Sequence, residues 1–185
     1  MRIFVTGATG FIGSALLPEL IQAGHNVLGL TRSKAGAAAL RASGAEVRHG
    51  SVEDLDSLRA GAANADGVIH LAFNHDFTQF QKASEDDRKV IEAIGEVLIG
   101  SKRPFVVTSG TAIAASGDGK PVTEDSPPAP SNPRTGSEIA TKALTERGVV
   151  TSVVRLAQVS SRTKIHARSP TSVFPCSATS FRRMT

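Results

Sequence analysis

The chain has 185 residues, 40% hydrophobic and 21% charged, with a formal net charge of +4, one cysteine and no tyrosine. That length suits a single domain with a substantial core. No run of eighteen apolar residues argues for a membrane span, and the lone Cys176 excludes an internal disulfide framework and multi-cysteine metal sites.

The elements alternate. RIFVT (2–6) reads as a strand, followed by a glycine-rich turn and a helix over about 11–23 with Ile12, Ala15, Leu16, Leu20 and Ile21 on its apolar side. NVLGLT (26–31) is a second strand and 34–43 a helix ending at Gly44. AEVRHG (45–50) is a short third strand, and EDLDSLRAG (53–61) a helix with acids in its first turn, where they suit the helix dipole. GVIHLAF (67–73) is a continuous apolar strand, the pattern of burial on both faces. A long helix over 83–100, the strand PFVVTSG (104–110), a Gly, Pro and Ser-rich loop (116–133), a helix over 136–147 and the strand VTSVVRLA (150–157) complete the series. Strands separated by helices pair in parallel through right-handed crossovers, so the expected fold is a doubly wound α/β sheet in three layers, a Rossmann fold.

The last stretch breaks the pattern. Residues 1–146 hold 14 Lys and Arg against all 17 Asp and Glu, whereas 147–185 hold 7 Lys and Arg and no acid. We therefore divide the chain into a Rossmann domain, 1–157, and a basic Ser/Thr/Arg-rich tail, 158–185, expected to be irregular. The tail has only Phe174 and Phe181 for stacking and no recognition motif, so nucleic acid is not an expected partner. The N-terminus MRIFVTG lacks the basic, apolar, small-residue order of a signal peptide. A reducing, cytoplasmic setting follows as the default.

VTGATGFIGSALL (5–17) is the strongest motif. Gly7 permits a tight turn out of the first strand, Gly10 lets backbone amides approach a pyrophosphate, and Gly13 lets the helix pack against the sheet. The helix start presents free N–H groups and a positive dipole end to phosphate. The glycines follow a strand and open a helix, which is the context this motif requires.

TGATGFIG (6–13) has the TGxxGxxG form, and the chain here resembles the extended and atypical short-chain dehydrogenase/reductases, within the NAD(P)-binding epimerase/dehydratase group. The resemblance covers about residues 1–157, with HLAF (70–73) and VVTSG (106–110) in the expected order. It implies cofactor contacts from Gly7, Thr9, Gly10, Phe11, Ile12 and Gly13 in the turn. It adds Thr31, Arg32 and Ser33 after the second strand, Leu71 and Ala72 after the fourth, and Lys142 in the last helix. Such proteins normally continue for a hundred or more residues that supply a substrate lid. An apolar surface left by a missing lid would favour a homodimer, which the sequence does not establish.

An acid at the end of the second strand selects NAD(H) by binding both ribose hydroxyls, whereas an arginine pairs with a 2′-phosphate. LGLTRSKAG (28–36) has no acid and offers Arg32 and Lys34, so NADP(H) is expected over NAD(H). HGSVEDL (49–55) would lie beside the adenine, with Glu53 and Asp54 read as caps of the following helix.

The resemblance also implies a Ser or Thr that orients a substrate carbonyl, a Tyr that transfers the proton and a Lys four residues later. Ser109 matches the first role, with Thr108 and Thr111 close by. The tyrosine position fails in either register. With Lys142 as the lysine, Glu138 replaces tyrosine; with Ser137–Glu138 as the Ser–Lys pair, Arg134 replaces tyrosine and Glu138 replaces lysine. The second register fits atypical members better. His75 in FNHDF (73–77) is a candidate proton donor, with Asp76 to orient it, while His70 reads as a packed core residue. The candidate catalytic set is thus Ser109, Thr111, His75 and Glu138, with no metal.

The expected function is an NADP(H)-dependent oxidoreductase acting on a small carbonyl or alcohol. Two other readings stay open: a non-catalytic redox sensor resembling the NmrA-like regulators, and an inactive truncated product of a longer enzyme.

Overall fold

The computed structural model describes residues 1–114 and 122–157, and the backbone of 180–183. Along the chain run β1 (Arg2–Thr6), α1 (Phe11–Gln22), β2 (Asn26–Thr31), α2 (Lys34–Ala42), β3 (Glu46–His49) and α3 (Leu55–Ala63). They are followed by β4 (Gly67–His70), α4 (Phe80–Leu98), β5 (Pro104–Gly110), α5 (Thr135–Glu146), β6 (Val150–Leu156) and β7 (Ser180–Arg183). The sheet order is β3-β2-β1-β4-β5-β6-β7. The first six strands are parallel, which is the doubly wound sheet expected. β7 lies antiparallel to β6, with Ser180 opposite Arg155. The expectation of an irregular tail otherwise lies outside the described residues.

The apolar runs form two cores, one on each face of the sheet. Ile3, Val5, Val27, Leu17 and Leu40 join α1 and α2 to one face. Phe4, Leu28, Val68, Phe105 and Val107 meet α3, α4 and α5 on the other, through Leu58, Ile91, Ile94 and Leu144. Strand order reverses between β1 and β4, where Thr6 lies opposite His70, and this reversal opens the crevice in which such sheets take ligands.

Three of the element edges that differ from the sequence expectation have a local cause. β4 ends at His70 rather than Phe73, because the next amides turn toward β1: Leu71 N–H donates to the Thr6 carbonyl and Ala72 N–H to Thr6 Oγ1. α3 begins at Leu55, because Asp54 is its N-cap and accepts from Ser57 N–H at 3.0 Å. α4 begins at Phe80, behind a 3₁₀ turn (Phe77–Gln79) capped by Asp76.

The buried side of α1 also differs. Leu17 and Gly13 are buried, Leu16, Leu20 and Ile21 are half-buried, and Ile12 and Ala15 are exposed. Gly13 sets this rotation. A Cβ there would stand 2.2 Å from the Gly7 carbonyl oxygen, so the helix rests on the turn through its glycine, and Leu17 follows one turn later on the same side.

Candidate functional site

The turn between β1 and α1 is built on backbone. Gly7 has φ +67°, and a Cβ at that position would lie 2.7 Å from the Ala72 amide nitrogen. Gly10 N–H donates to the Gly7 carbonyl at 2.9 Å. α1 then starts with no side-chain cap, and Ser14 N–H is the first to return to the turn, bonding the Gly10 carbonyl. Helix geometry leaves the amides of Phe11, Ile12 and Gly13 without intrahelical acceptors. Phe11 and Ile12 are exposed beside them, as is Thr9. The arrangement fits an anionic diphosphate: donors without a side-chain cap and a positive dipole end.

The end of β2 supplies the flank. Thr31 is buried, and its Oγ1 accepts from Ser33 N–H at 3.4 Å. Ser33 caps α2 by accepting from Gly36 N–H at 2.9 Å, so its hydroxyl oxygen is already engaged. Arg32 is exposed and forms no ion pair among the described residues. Across the sheet edge a cavity of about 310 Å³ lies between the start of α3 (Val52, Glu53, Leu55), the chain after β4 (Ala72, Phe73, Asn74) and α4 (Ala83, Asp87, Val90). Leu71 and Ala72 therefore touch the site twice, as the wall against Gly7 and, through Ala72, as lining of the cavity.

Two buried polar groups occupy the ends of β4, β5 and β6. In the first, His70 is 1% exposed; its Nδ1 meets Thr6 Oγ1 at 2.6 Å and its Nε2 meets Asp87 Oδ1 at 3.1 Å. Asp87 Oδ2 accepts from Ser137 Oγ at 2.5 Å and from Arg134 Nη2 at 3.5 Å. Burial pushes the Asp87 carboxyl up, but His70, Arg134 and Ser137 outweigh it and hold the group below its ordinary value. Burial lowers the pKa of Arg134, against the raising charges of Asp87 and Glu138. His70 is thus buried as expected, but as a hydrogen-bonding link between β1 and α4 rather than an apolar filler.

In the second, Ser109 Oγ donates to Glu138 Oε1 at 2.7 Å, and Arg155 holds both Glu138 oxygens, Nε to Oε1 at 2.9 Å and Nη2 to Oε2 at 2.7 Å. The hydrogen bond to Glu138 leads the causes that raise the Arg155 pKa. Glu138 is an acceptor in all three contacts. The Ser109 proton is committed to it, and Thr108 donates its own to the His70 carbonyl. Thr111, in a 3₁₀ turn (Thr111–Ile113), is half-buried and its hydroxyl has no partner among the described residues.

The structure thus brings Ser109, Glu138 and Arg134 to one sheet edge. Lys142 is exposed on α5. His75 is also exposed, its ring 5.4 Å from Phe73 and 6.1 Å from Phe77. Asp76 does not orient it: that carboxylate accepts from Thr78 and Gln79. Sequence reasoning passed over Asp87 and Arg155. Both carried a signal: Asp87 falls on the apolar period of α4 with Ala83, Val90, Ile91 and Ile94, and Arg155 interrupts the apolar strand VVRLA. A charge in either setting needs a buried partner.

The sequence profile of the NAD-dependent epimerase/dehydratase family matches residues 3–183. An uncharacterized protein of Schizosaccharomyces pombe is 52% identical over 84% of this chain and 53% of its own length. The 4-hydroxy-2-methyl-3-oxo-4-farnesyl-3,4-dihydroquinoline-1-oxide ketoreductase of Stigmatella aurantiaca is 32% identical over 81% of this chain and 45% of its own. Among solved structures, the UDP-glucuronic acid 4-epimerase of Bacillus cereus, in complex with UDP-glucuronic acid and NAD, superposes with a TM-score of 0.67. Its identity is 21%, over 84% of this chain and 56% of that one, a likeness of fold. The chain spans about half the length of the curated relatives it matches.

Proposed function

The chain belongs to the NAD-dependent epimerase/dehydratase family, and from that premise we propose that it is an oxidoreductase of atypical short-chain dehydrogenase type, preferring NADP(H) over NAD(H) and acting on a small carbonyl or alcohol. The observation that carries this reading is the uncapped start of α1 over Gly7, Gly10 and Gly13, flanked by Arg32 where an NAD-selecting acid would stand. The α1 amides would hold the diphosphate, Arg32 the 2′-phosphate, and the cavity beside Ala72 and Val52 the nucleobase. When bound, the nicotinamide supplies or accepts a hydride.

The protein's own part is then orientation and proton supply. Thr111 has a hydroxyl free to donate to a carbonyl oxygen, whereas Ser109 offers only lone pairs because its proton goes to Glu138. His75, exposed at the same edge, or a water ordered there, returns the proton. The single cysteine supports a reducing, cytoplasmic setting.

A second reading, a dinucleotide-binding redox sensor, is favoured by one observation: the chain has no tyrosine to supply the proton, and Glu138 is held by Arg155. One experiment separates the two. NADPH and NADH are titrated by fluorescence, and aldehydes and ketones are then screened for NADPH consumption. Binding with turnover that Thr111→Val or His75→Ala abolishes supports the enzyme. Tight binding without turnover supports the sensor, and no binding of either dinucleotide sinks both.

A further inference from the structure

Two arginines stand where β5 and β6 end, and they differ in how completely they are engaged. Every nitrogen of Arg155 is used: Nε and Nη2 on Glu138, and Nη1 on the carbonyls of Ser126 and Glu124 at 2.9 and 3.5 Å. Arg134 uses one. Its Nη2 reaches the Thr108 carbonyl at 3.2 Å and Asp87 at 3.5 Å, while Nε is buried with no partner and Nη1 has none among the described residues. A buried donor left unpaired in a native protein calls for a reason; Nε itself is closed to solvent, so it is through Nη1, at the partly exposed end of the guanidinium, that a ligand oxygen would meet this cation.

The cation is nevertheless held in place. Its Cζ lies 3.8 Å from the centroid of the Phe73 ring, a cation–π contact, and its side chain is 16% exposed. Phe73 and Asp87, both in contact with Arg134, line the 310 Å³ cavity. The carbonyl it touches belongs to the peptide leading into Ser109. Arg134 therefore stands between the cavity and the strand end that carries Ser109 and Thr111.

The surrounding acids leave this cation incompletely matched. Glu138 is bound by Arg155 and Ser109, and Asp87 is bound more closely by His70 and Ser137 than by Arg134. A phenol in this place would give up a proton. A guanidinium keeps its protons and offers a fixed charge with planar donors, the geometry that matches a carboxylate.

We infer that Arg134 is a substrate-recognition residue and that it selects substrates with a carboxylate beside the reacting carbon: 2-oxo acids and the corresponding 2-hydroxy acids. The inference deepens the oxidoreductase reading above and rests on it for the identity of the reacting carbon.

The test uses oxalate, a planar dicarboxylate, and oxamide, its uncharged counterpart. Each is titrated by calorimetry into the full chain, with and without NADPH, and into R134Q and R134K, with thermal melts confirming that the variants fold. Oxalate should bind about tenfold or more tightly than oxamide, and R134Q should erase that preference while leaving oxamide and NADPH affinities within about twofold. R134K, which keeps the charge but not the planar fork, should retain part of it and serves if R134Q does not fold. Equal affinity for oxalate and oxamide, or an oxalate preference that survives in the variants, overturns the assignment. Sulfate binding as tightly as oxalate overturns it too, because it would mark an anion site without carboxylate geometry. Arg134-dependent oxalate binding with no NADPH binding would sink the dinucleotide reading and leave Arg134 standing. NADPH binding with no oxalate binding would sink Arg134 alone.

Discussion

Arg155 grips Glu138 at both carboxylate oxygens, at 2.9 and 2.7 Å, with the two side chains only 8% and 5% exposed. The pair ties β6 to α5, and through Arg155 Nη1 it also holds the Ser126 carbonyl in the segment before α5. It is a joint between three pieces of chain at the sheet edge.

Glu138→Ala should therefore unfold the protein more easily, by about 3–5 kcal/mol, because it leaves a desolvated guanidinium without its partner. Replacing both residues together, Glu138→Leu with Arg155→Met, should recover most of that loss, since a buried ion pair contributes little over a packed apolar pair. Urea denaturation of the single and double variants measures this. A double variant no more stable than the single would mean that the pair does more than balance charge.

The Asp87 carboxyl lies below its ordinary value of 3.8: burial pushes it up, but His70, Arg134 and Ser137 outweigh burial. A carboxyl with a depressed folded pKa contributes stability above its unfolded value and loses it as pH falls through the folded one. The unfolded chain takes up this proton first, so the loss begins near pH 4 and continues below it. Denaturant midpoints between about pH 2.5 and 6 should decline on the acid side, and Asp87→Asn should flatten that decline. Equal acid slopes in the two proteins would show that other carboxyls govern it.

What was legible in the sequence follows from range. The strands of a parallel sheet are covered on both faces, so RIFVT, NVLGLT and PFVVTSG announce themselves as apolar runs, and the glycines of TGATGFIG fall in a fixed local order. Helix orientation was less legible: the buried side of α1 depends on Gly13 resting against Gly7, a contact that counting apolar residues does not weigh. The polar networks were least legible. Ser109 and Glu138 lie 29 residues apart, and Asp87 and Ser137 lie 50 apart, so only the folded sheet edge pairs them.

Gly13→Ala tests the turn. The added methyl would fall 2.2 Å from the Gly7 carbonyl oxygen and 2.7 Å from the Ala8 backbone, so α1 must shift away from β1. A shift of that kind costs about 1–3 kcal/mol of stability. The amides of Phe11 and Ile12 would move with the helix, and dinucleotide affinity should fall by at least about tenfold, because charge-assisted hydrogen bonds weaken steeply with distance. Melting curves and NADPH titration on the same samples check both effects. Unchanged affinity in a destabilised variant would place the diphosphate elsewhere.

Arg32 tests the cofactor preference. It is exposed, follows the last residue of β2 and forms no ion pair among the described residues. Removing it should therefore leave the fold almost untouched, within about 0.5 kcal/mol. If its guanidinium meets the 2′-phosphate, Arg32→Ala should weaken NADPH binding by about 10- to 100-fold, the size of a charge-assisted hydrogen bond, and leave NADH within about twofold. Arg32→Asp should go further and invert the preference, since a carboxylate repels the phosphate and accepts from the ribose hydroxyls. The NADPH affinity of the unaltered protein should also fall more steeply with salt than that of Arg32→Ala. Fluorescence titrations of both dinucleotides at two ionic strengths give all of these values, and an Arg32→Ala variant that still prefers NADPH by the original margin would assign the selection to another residue.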